Sequence, residues 1–157
     1  FLYAGLMIDA DGNPSVIEFN CRFGDPETQP ILQRLQSDLV SHCQSALERR
    51  LDTAVAQWDP RPAVGVVLAA GGYPNAYEKG HTITGLDTPW PATTKVFHAG
   101  TQTQDGNIVT HGGRVLCVSA LGNTIEEAIQ LAYAGVDHIN WQDMIFRQDI
   151  GWRAIDR

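Results

Sequence analysis

The sequence predicts an α+β fold, in which an antiparallel hairpin and helices are followed by a small β-rich domain with one packed helix. Three observations predict it. Two strand-like runs, "LYAGLMID" (2–9) and "SVIEFN" (15–20), flank Asp11-Gly12, a strong hairpin signal. Apolar residues then recur at helical spacing as far as Leu47. After "DPRP" (59–62) the composition turns β-rich, and one helix with a capping signal follows. The break divides the chain into residues 1–58 and 59–157.

In order along the chain, the hairpin comes first. Side chains alternate across a strand, so Val16, Glu18 and Asn20 are expected on one face and Ile17, Phe19 and Cys21 on the other. The apolar face is expected to pack; the polar face calls for another explanation. Pro30 is tolerated only in a first helical turn, which starts the first helix near Thr28. Ser37 is the expected N-cap of the second helix. Leu35, Leu39, Val40, Cys43 and Leu47 form a stripe that reads as core packing.

In the second part, "AVGVVLAA" (63–70) reads as a buried strand. "TKVFHAG" (94–100) and "NIVT" (107–110) flank a "QDGN" turn, and "RVLCVSALG" (114–122) is a further strand. Thr124 and Glu127 stand at capping-box spacing before a helix over 125–139, with Ile125, Ala128, Ile129, Ala132 and Val136 inward. The apolar tail from Trp141 is expected to fold back onto the domain. Trp90, Trp141 and Trp152 read as core or interface anchors, and His98 and His111 as structural.

Composition removes several function classes. The chain has 157 residues, 43% hydrophobic and 18% charged, as a globular protein does. A net charge of −7 argues against binding nucleic acid through a general positive field. Three cysteines without CxxC spacing suggest neither a disulfide framework nor a structural zinc site. No apolar run reaches the roughly 20 residues that span a bilayer, and "FLYAGLMIDADG" lacks the features of a signal peptide. A reducing cytoplasm is the expected compartment. Phe1 enters a strand-like run directly, so the chain is expected to start inside a domain.

The chemistry concentrates in "VIEFNCRFGDPETQP" (16–30). Glu18 and Asn20, two apart on a strand, can converge oxygens on a hard cation such as Mg²⁺. Glu-x-Asn by itself is more simply a solvated strand face; the loop after it shifts the balance. Arg22 extends the same face and can clamp a transferring phosphoryl group. Gly24 lets backbone approach a ligand. Asp25 can cap the next helix or bind an ammonium group. "AAGGYP" (69–74) can form an anion nest but reads better as a tight turn. In "HGGR" (111–114), Arg114 is either a phosphate partner or a surface strand residue.

"IEFNCRFGDPETQ" resembles the end of an ATP-grasp domain, specifically that of the glycinamide ribonucleotide synthetase family. "GGYPNAYEKGHTITG", "VFHAGT", "THGGRVLCVSALG", "AIQLAYAGVDHINW" and "RQDIGWRAI" resemble successive segments of that family's C-terminal domain. The likeness therefore runs the length of the chain. It implies an ATP-dependent ligase joining glycine to 5-phosphoribosylamine through a glycyl phosphate, in purine biosynthesis. It implies Glu18 and Asn20 as ligands of Mg²⁺ or Mn²⁺, Arg22 as the catalytic group on the transferring phosphate, and Asp25 with Gly24 on the substrate side. ATP would be held mostly by a missing N-terminal part of the same enzyme, either a separate chain or the rest of a longer product, so the isolated chain is expected to be inactive. The strand before Glu-x-Asn offers Leu6 and Met7 where many ATP-grasp enzymes place another carboxylate, with Asp9 near the turn. Two other readings stand beside this one: a different ATP-grasp carboxylate–amine ligase, and a non-catalytic binding fragment.

Overall fold

The computed structural model describes residues 1–155. Strands β1 (Tyr3–Ile8) and β2 (Pro14–Asn20) form the antiparallel hairpin. Asp9 makes its turn: the carboxylate accepts the backbone N–H groups of Asp11 at 3.0 Å and Asn13 at 2.8 Å. Those bonds, chiefly the one from Asn13, hold Asp9 below the usual carboxylate range. Asp9 is thus committed to the turn.

Helices α1 (Thr28–Arg34) and α2 (Leu39–Leu47) follow. The first starts at the expected residue. The second is capped one residue later than expected, by Asp38, whose carboxylate accepts from Val40 and Ser41. Ser37 instead contacts the His42 ring at 2.7 Å and accepts the Gln57 N–H. The helical stripe does not form a core: α2 buries no residue, and Val40 and Leu47 are 61% and 86% exposed.

The second part is built on a four-stranded antiparallel sheet ordered β4 (Thr94–His98), β7 (Arg114–Leu121), β3 (Ala63–Ala69), β8 (Ile145–Phe146). A separate hairpin pairs β5 (Thr101–Gln104) with β6 (Asn107–Thr110). The Asp105-Gly106 turn therefore joins β5 to β6, whereas the sequence reading ran a single strand to residue 100. Both Asp105 and Gly106 have positive φ, as the turn requires. The tail folds back as expected, with β8 pairing to β3. Trp141 is buried and Trp90 packs against the core, but Trp152 is 55% exposed.

Helix α3 (Ile125–Val136) covers one face of this sheet, with Ala128, Ala132 and Val136 buried. Its N-cap Thr124 accepts from the Glu127 N–H, and the Glu127 carboxylate returns to Asn123 N–H at 2.6 Å. The other face is covered by α1, which comes from the first part of the chain. Two glycines locate the two helices. A Cβ on Gly135 of α3 would meet Val118, and one on Gly65 would meet Pro30 of α1 and Cys117, each at 3.3 Å. Val118 and Cys117 are adjacent on β7, so they face opposite sides. With helices on both sides, β7 is buried from Val115 to Leu121, which explains why Ser119 is its only polar residue over that span.

The link between the parts is polar. Asp59 N–H donates to Arg34 O at 2.7 Å, and the Asp59 carbonyl accepts the Arg34 guanidinium. The Asp59 carboxylate takes the Arg61 Nε at 2.9 Å and Nη2 at 2.7 Å. These bonds lower its pKa from 3.8 to about 2. A folded pKa below the unfolded one gives stability that is present above pH 3.8 and lost as pH falls through about 2. Thermal melts between pH 5 and 2 are expected to show Asp59→Asn losing less stability on acidification than the parent chain. Parallel acid dependence would refute this.

Candidate functional site

The site is assembled at the end of β2 and the loop that follows it. Across the hairpin, Asn20 pairs with Tyr3 and Glu18 with Gly5, and then Val16 pairs with Leu6. Ile17 is left over as a bulge. The bulge puts Val16 opposite the neighbour of Gly5, so Val16 does not share the Glu18 face as expected. Glu18 and Asn20 do keep a common face, because the bulge lies before them. Gly5 matters here, and the sequence reading passed over it. A Cβ at Gly5 would meet Glu18 Cγ at 3.1 Å, so the absence of a side chain lets the Glu18 stem lie across the strand. The hairpin's apolar side chains do not pack as expected: Ile17 and Phe19 are 63% and 62% exposed.

Glu18 is exposed. Asn20 is half-buried, and its Nδ2 is buried with no hydrogen-bond partner. Arg22 is exposed and donates from Nη1 to the carbonyl of Phe23 at 2.8 Å. Gly24 is buried beneath Tyr3, where a Cβ would come within 2.7 Å of the ring. The Tyr3 hydroxyl donates to Glu27 at 3.3 Å, and the Glu27 charge beside it raises the phenol above its ordinary pKa. The Gly24 carbonyl accepts from the backbone N–H of Thr28 at 3.0 Å and from its hydroxyl. The loop is therefore pinned at both ends of its turn into α1.

Asp25 does not cap α1. Its Oδ2 accepts from Arg114 Nη1 at 2.9 Å, and its carbonyl accepts from the same nitrogen at 2.6 Å. Arg114 stands at the start of β7 and reaches the loop, a contact that neither role proposed for it from the sequence included. Tyr73 completes the contact, its hydroxyl accepting from Arg114 Nε at 3.1 Å. In the turn around "GGYP" two amides are bonded internally, Tyr73 N–H to Ala70 O and Asn75 N–H to Gly72 O. Behind the loop, burial pushes the Cys117 thiol up to about 12, with the Asp25 charge adding to the effect.

For a divalent cation, the Glu18 carboxylate and the Asn20 amide oxygen are hard donors on one face, and among the described residues Asn20 Nδ2 has no hydrogen-bond partner that would hold the carboxamide elsewhere. Among the described residues, no group of three or more His, Cys, Asp or Glu is placed to hold a metal. The pair therefore fits a divalent ion as a partial ligand set, of the kind completed by phosphates and water. No helix among the described residues is long and apolar enough to cross a membrane.

Comparison with known proteins gives the same picture from end to end. Residues 1–28 match the family model described as phosphoribosylglycinamide synthetase, ATP-grasp (A) domain, and residues 63–153 match phosphoribosylglycinamide synthetase, C domain. The chain is 63% identical over 157 residues to a phosphoribosylamine–glycine ligase of Vibrio cholerae, covering all of this chain and 37% of that one. It is 60% identical over 158 residues to one of Escherichia coli K12, with the same coverage. The crystal structure of a phosphoribosylamine–glycine ligase from Thermotoga maritima superposes with a TM-score of 0.72 at 38% identity, covering 94% of this chain and 36% of that one. The chain thus spans a little over one third of the length of these relatives. It belongs to the phosphoribosylglycinamide synthetase family, of whose members it corresponds to the C-terminal portion.

Proposed function

We propose that this chain is the C-terminal portion of an ATP-dependent phosphoribosylamine–glycine ligase. In that reaction a glycine carboxylate oxygen attacks the γ-phosphorus of ATP and ADP leaves. The amine of 5-phosphoribosylamine then attacks the acyl carbon of glycyl phosphate, and phosphate leaves with formation of glycinamide ribonucleotide. The observation that carries the reading is the end-to-end likeness to ligases of that name. The hairpin and loop geometry supports it.

In this reading Glu18 and Asn20 hold Mg²⁺ or Mn²⁺. When bound, the ion neutralises charge on the nucleotide phosphates. Arg22, exposed in the bend two residues past the end of β2, swings its guanidinium from the Phe23 carbonyl to the transferring phosphate or the acyl phosphate. Asp25 orients glycine by its ammonium group, and Gly24 belongs to the same substrate-side loop. Residues 1–58 form the end of an ATP-grasp domain and residues 59–157 the C-terminal domain. The ATP-enclosing residues lie in the part of the relatives that this chain does not span. We place the reaction in the cytoplasm, where the free thiols of Cys21, Cys43 and Cys117 persist.

A chimera tests the proposal. This chain would replace the matching C-terminal 37% of the Vibrio cholerae ligase, a graft that 63% identity favours. ADP release that requires both glycine and 5-phosphoribosylamine is the expected result, with no turnover by the isolated chain. A folded chimera that releases no ADP with glycine, or prefers another amino acid, would overturn the reading.

A further inference from the structure

We propose that Arg114 is a positioning residue for the amino-acid subsite, holding Asp25 in register with the C-terminal sheet. The inference rests on the reading above, in which the Asp25 loop meets glycine. Its physical basis is a junction between distant parts of the chain, 89 residues apart in sequence. One guanidinium nitrogen takes both oxygens that fix the orientation of Asp25, the backbone carbonyl and Oδ2. A second nitrogen takes the Tyr73 hydroxyl.

The back of this junction is rigid. Gly113, immediately before Arg114, has no room for a side chain: a Cβ there would collide with the Tyr73 ring and meet Tyr77 at 3.1 Å. The Tyr73 ring thus packs on the backbone just before β7, and its hydroxyl accepts from Arg114 Nε. The front is not packed. A cavity of about 390 Å³ lies between loop and sheet, lined by Pro26, Gly65, Tyr73, Arg114 and Phe146 among others. Thr28 holds the loop at Gly24, and the polar tie from Arg114 sets the orientation of Asp25 itself.

The contact is poorly suited to stabilising the fold. The Arg114 and Asp25 side chains are 37% and 57% exposed, and exposed ion pairs contribute little. What the arrangement provides is direction. A planar guanidinium offers donors at fixed angles, which a lysine ammonium does not. With Oδ2 held by Arg114, Oδ1 remains to meet an ammonium group.

Arg114→Ala and Arg114→Lys in the chimera test this by two readouts. In Arg114→Ala the KM for glycine is expected to rise by about 10- to 100-fold, the cost of a loop displaced by about an ångström. The KM for ATP should stay within about twofold and the melting temperature within about 3 °C. Arg114→Lys should recover only part of the loss, because the charge returns without the fork. Amide exchange in the same preparations should show faster exchange at residues 22–28 and none of that change in β7 or α3. Unchanged exchange at 22–28 would overturn the inference, as would equal rises in both KM values with loss of stability. If the parent chimera had no glycine-dependent activity, the proposed function would fail, while exchange would still decide whether Arg114 orders the loop.

Discussion

Glu18→Gln in the chimera is expected to lower glycine-dependent ADP formation by about 100- to 1,000-fold. The substitution keeps the shape of the side chain and removes its charge. Glu18 is exposed and sits across Gly5 with no salt bridge among the described residues, so the fold has little invested in that charge. Surface changes of this kind move stability by about 0.5 kcal/mol or less. A divalent ion held with phosphates, by contrast, depends directly on the number of anionic oxygens around it. Weaker binding of Mn²⁺ with ATP, measured by titration without turnover, should accompany the loss. A Glu18→Gln protein with full turnover and unchanged Mn²⁺ binding would remove Glu18 from the site. A collapse in melting temperature would make it a structural residue instead.

The largest stability effect is expected at the centre of the sheet. Leu116 is fully buried on β7, between Leu68 of β3 and His98 of β4, on the same side as Val118 and beneath α3. Leu116→Ala removes packing from a strand covered on both faces, where the surroundings can relax only partly. Losses at such positions run to about 2–5 kcal/mol. For a chain of this size that corresponds to a fall in melting temperature of roughly 10 °C. A calorimetric or circular-dichroism melt decides it. A shift of less than about 2 °C would mean that α3 can settle into the space, and that the sheet is softer than its burial implies.

Much of this was legible because local rules and tertiary packing agreed. Pro30 placed the start of α1, and Thr124 with Glu127 placed the start of α3. Where they disagreed, the sequence reading slipped for identifiable reasons. Ser37 and Asp38 are both good caps, and only the geometry of residues 38–41 shows that the carboxylate takes the amides. The stripe through Val40 and Leu47 has helical spacing but no partner surface in this chain, so periodicity alone overstated burial. The bulge at Ile17 left no mark in the alternation, because Val16, Ile17 and Phe19 are all apolar. In the candidate site, Glu18 and Asn20 were visible as a pair on one strand. Gly5 carried the signal of a glycine inside a strand, which marks close approach. The meeting of Arg114 with Asp25 had no local signal at all, since it depends on how the sheet faces the loop.

The seating of α1 on the far face of the sheet bears on where such a protein can be cut and rejoined. Composition marks a seam near residue 59, but Gly65, Cys117 and Pro30 interlock across it. A recombinant exchange made at that seam would bring a foreign helix against β3 and β7, and would separate the Asp25 loop from Arg114 at the start of β7. An exchange made upstream of the hairpin keeps ligand face, loop, helix and sheet as a single inherited block. The unit of modular reuse is therefore larger than the composition break suggests.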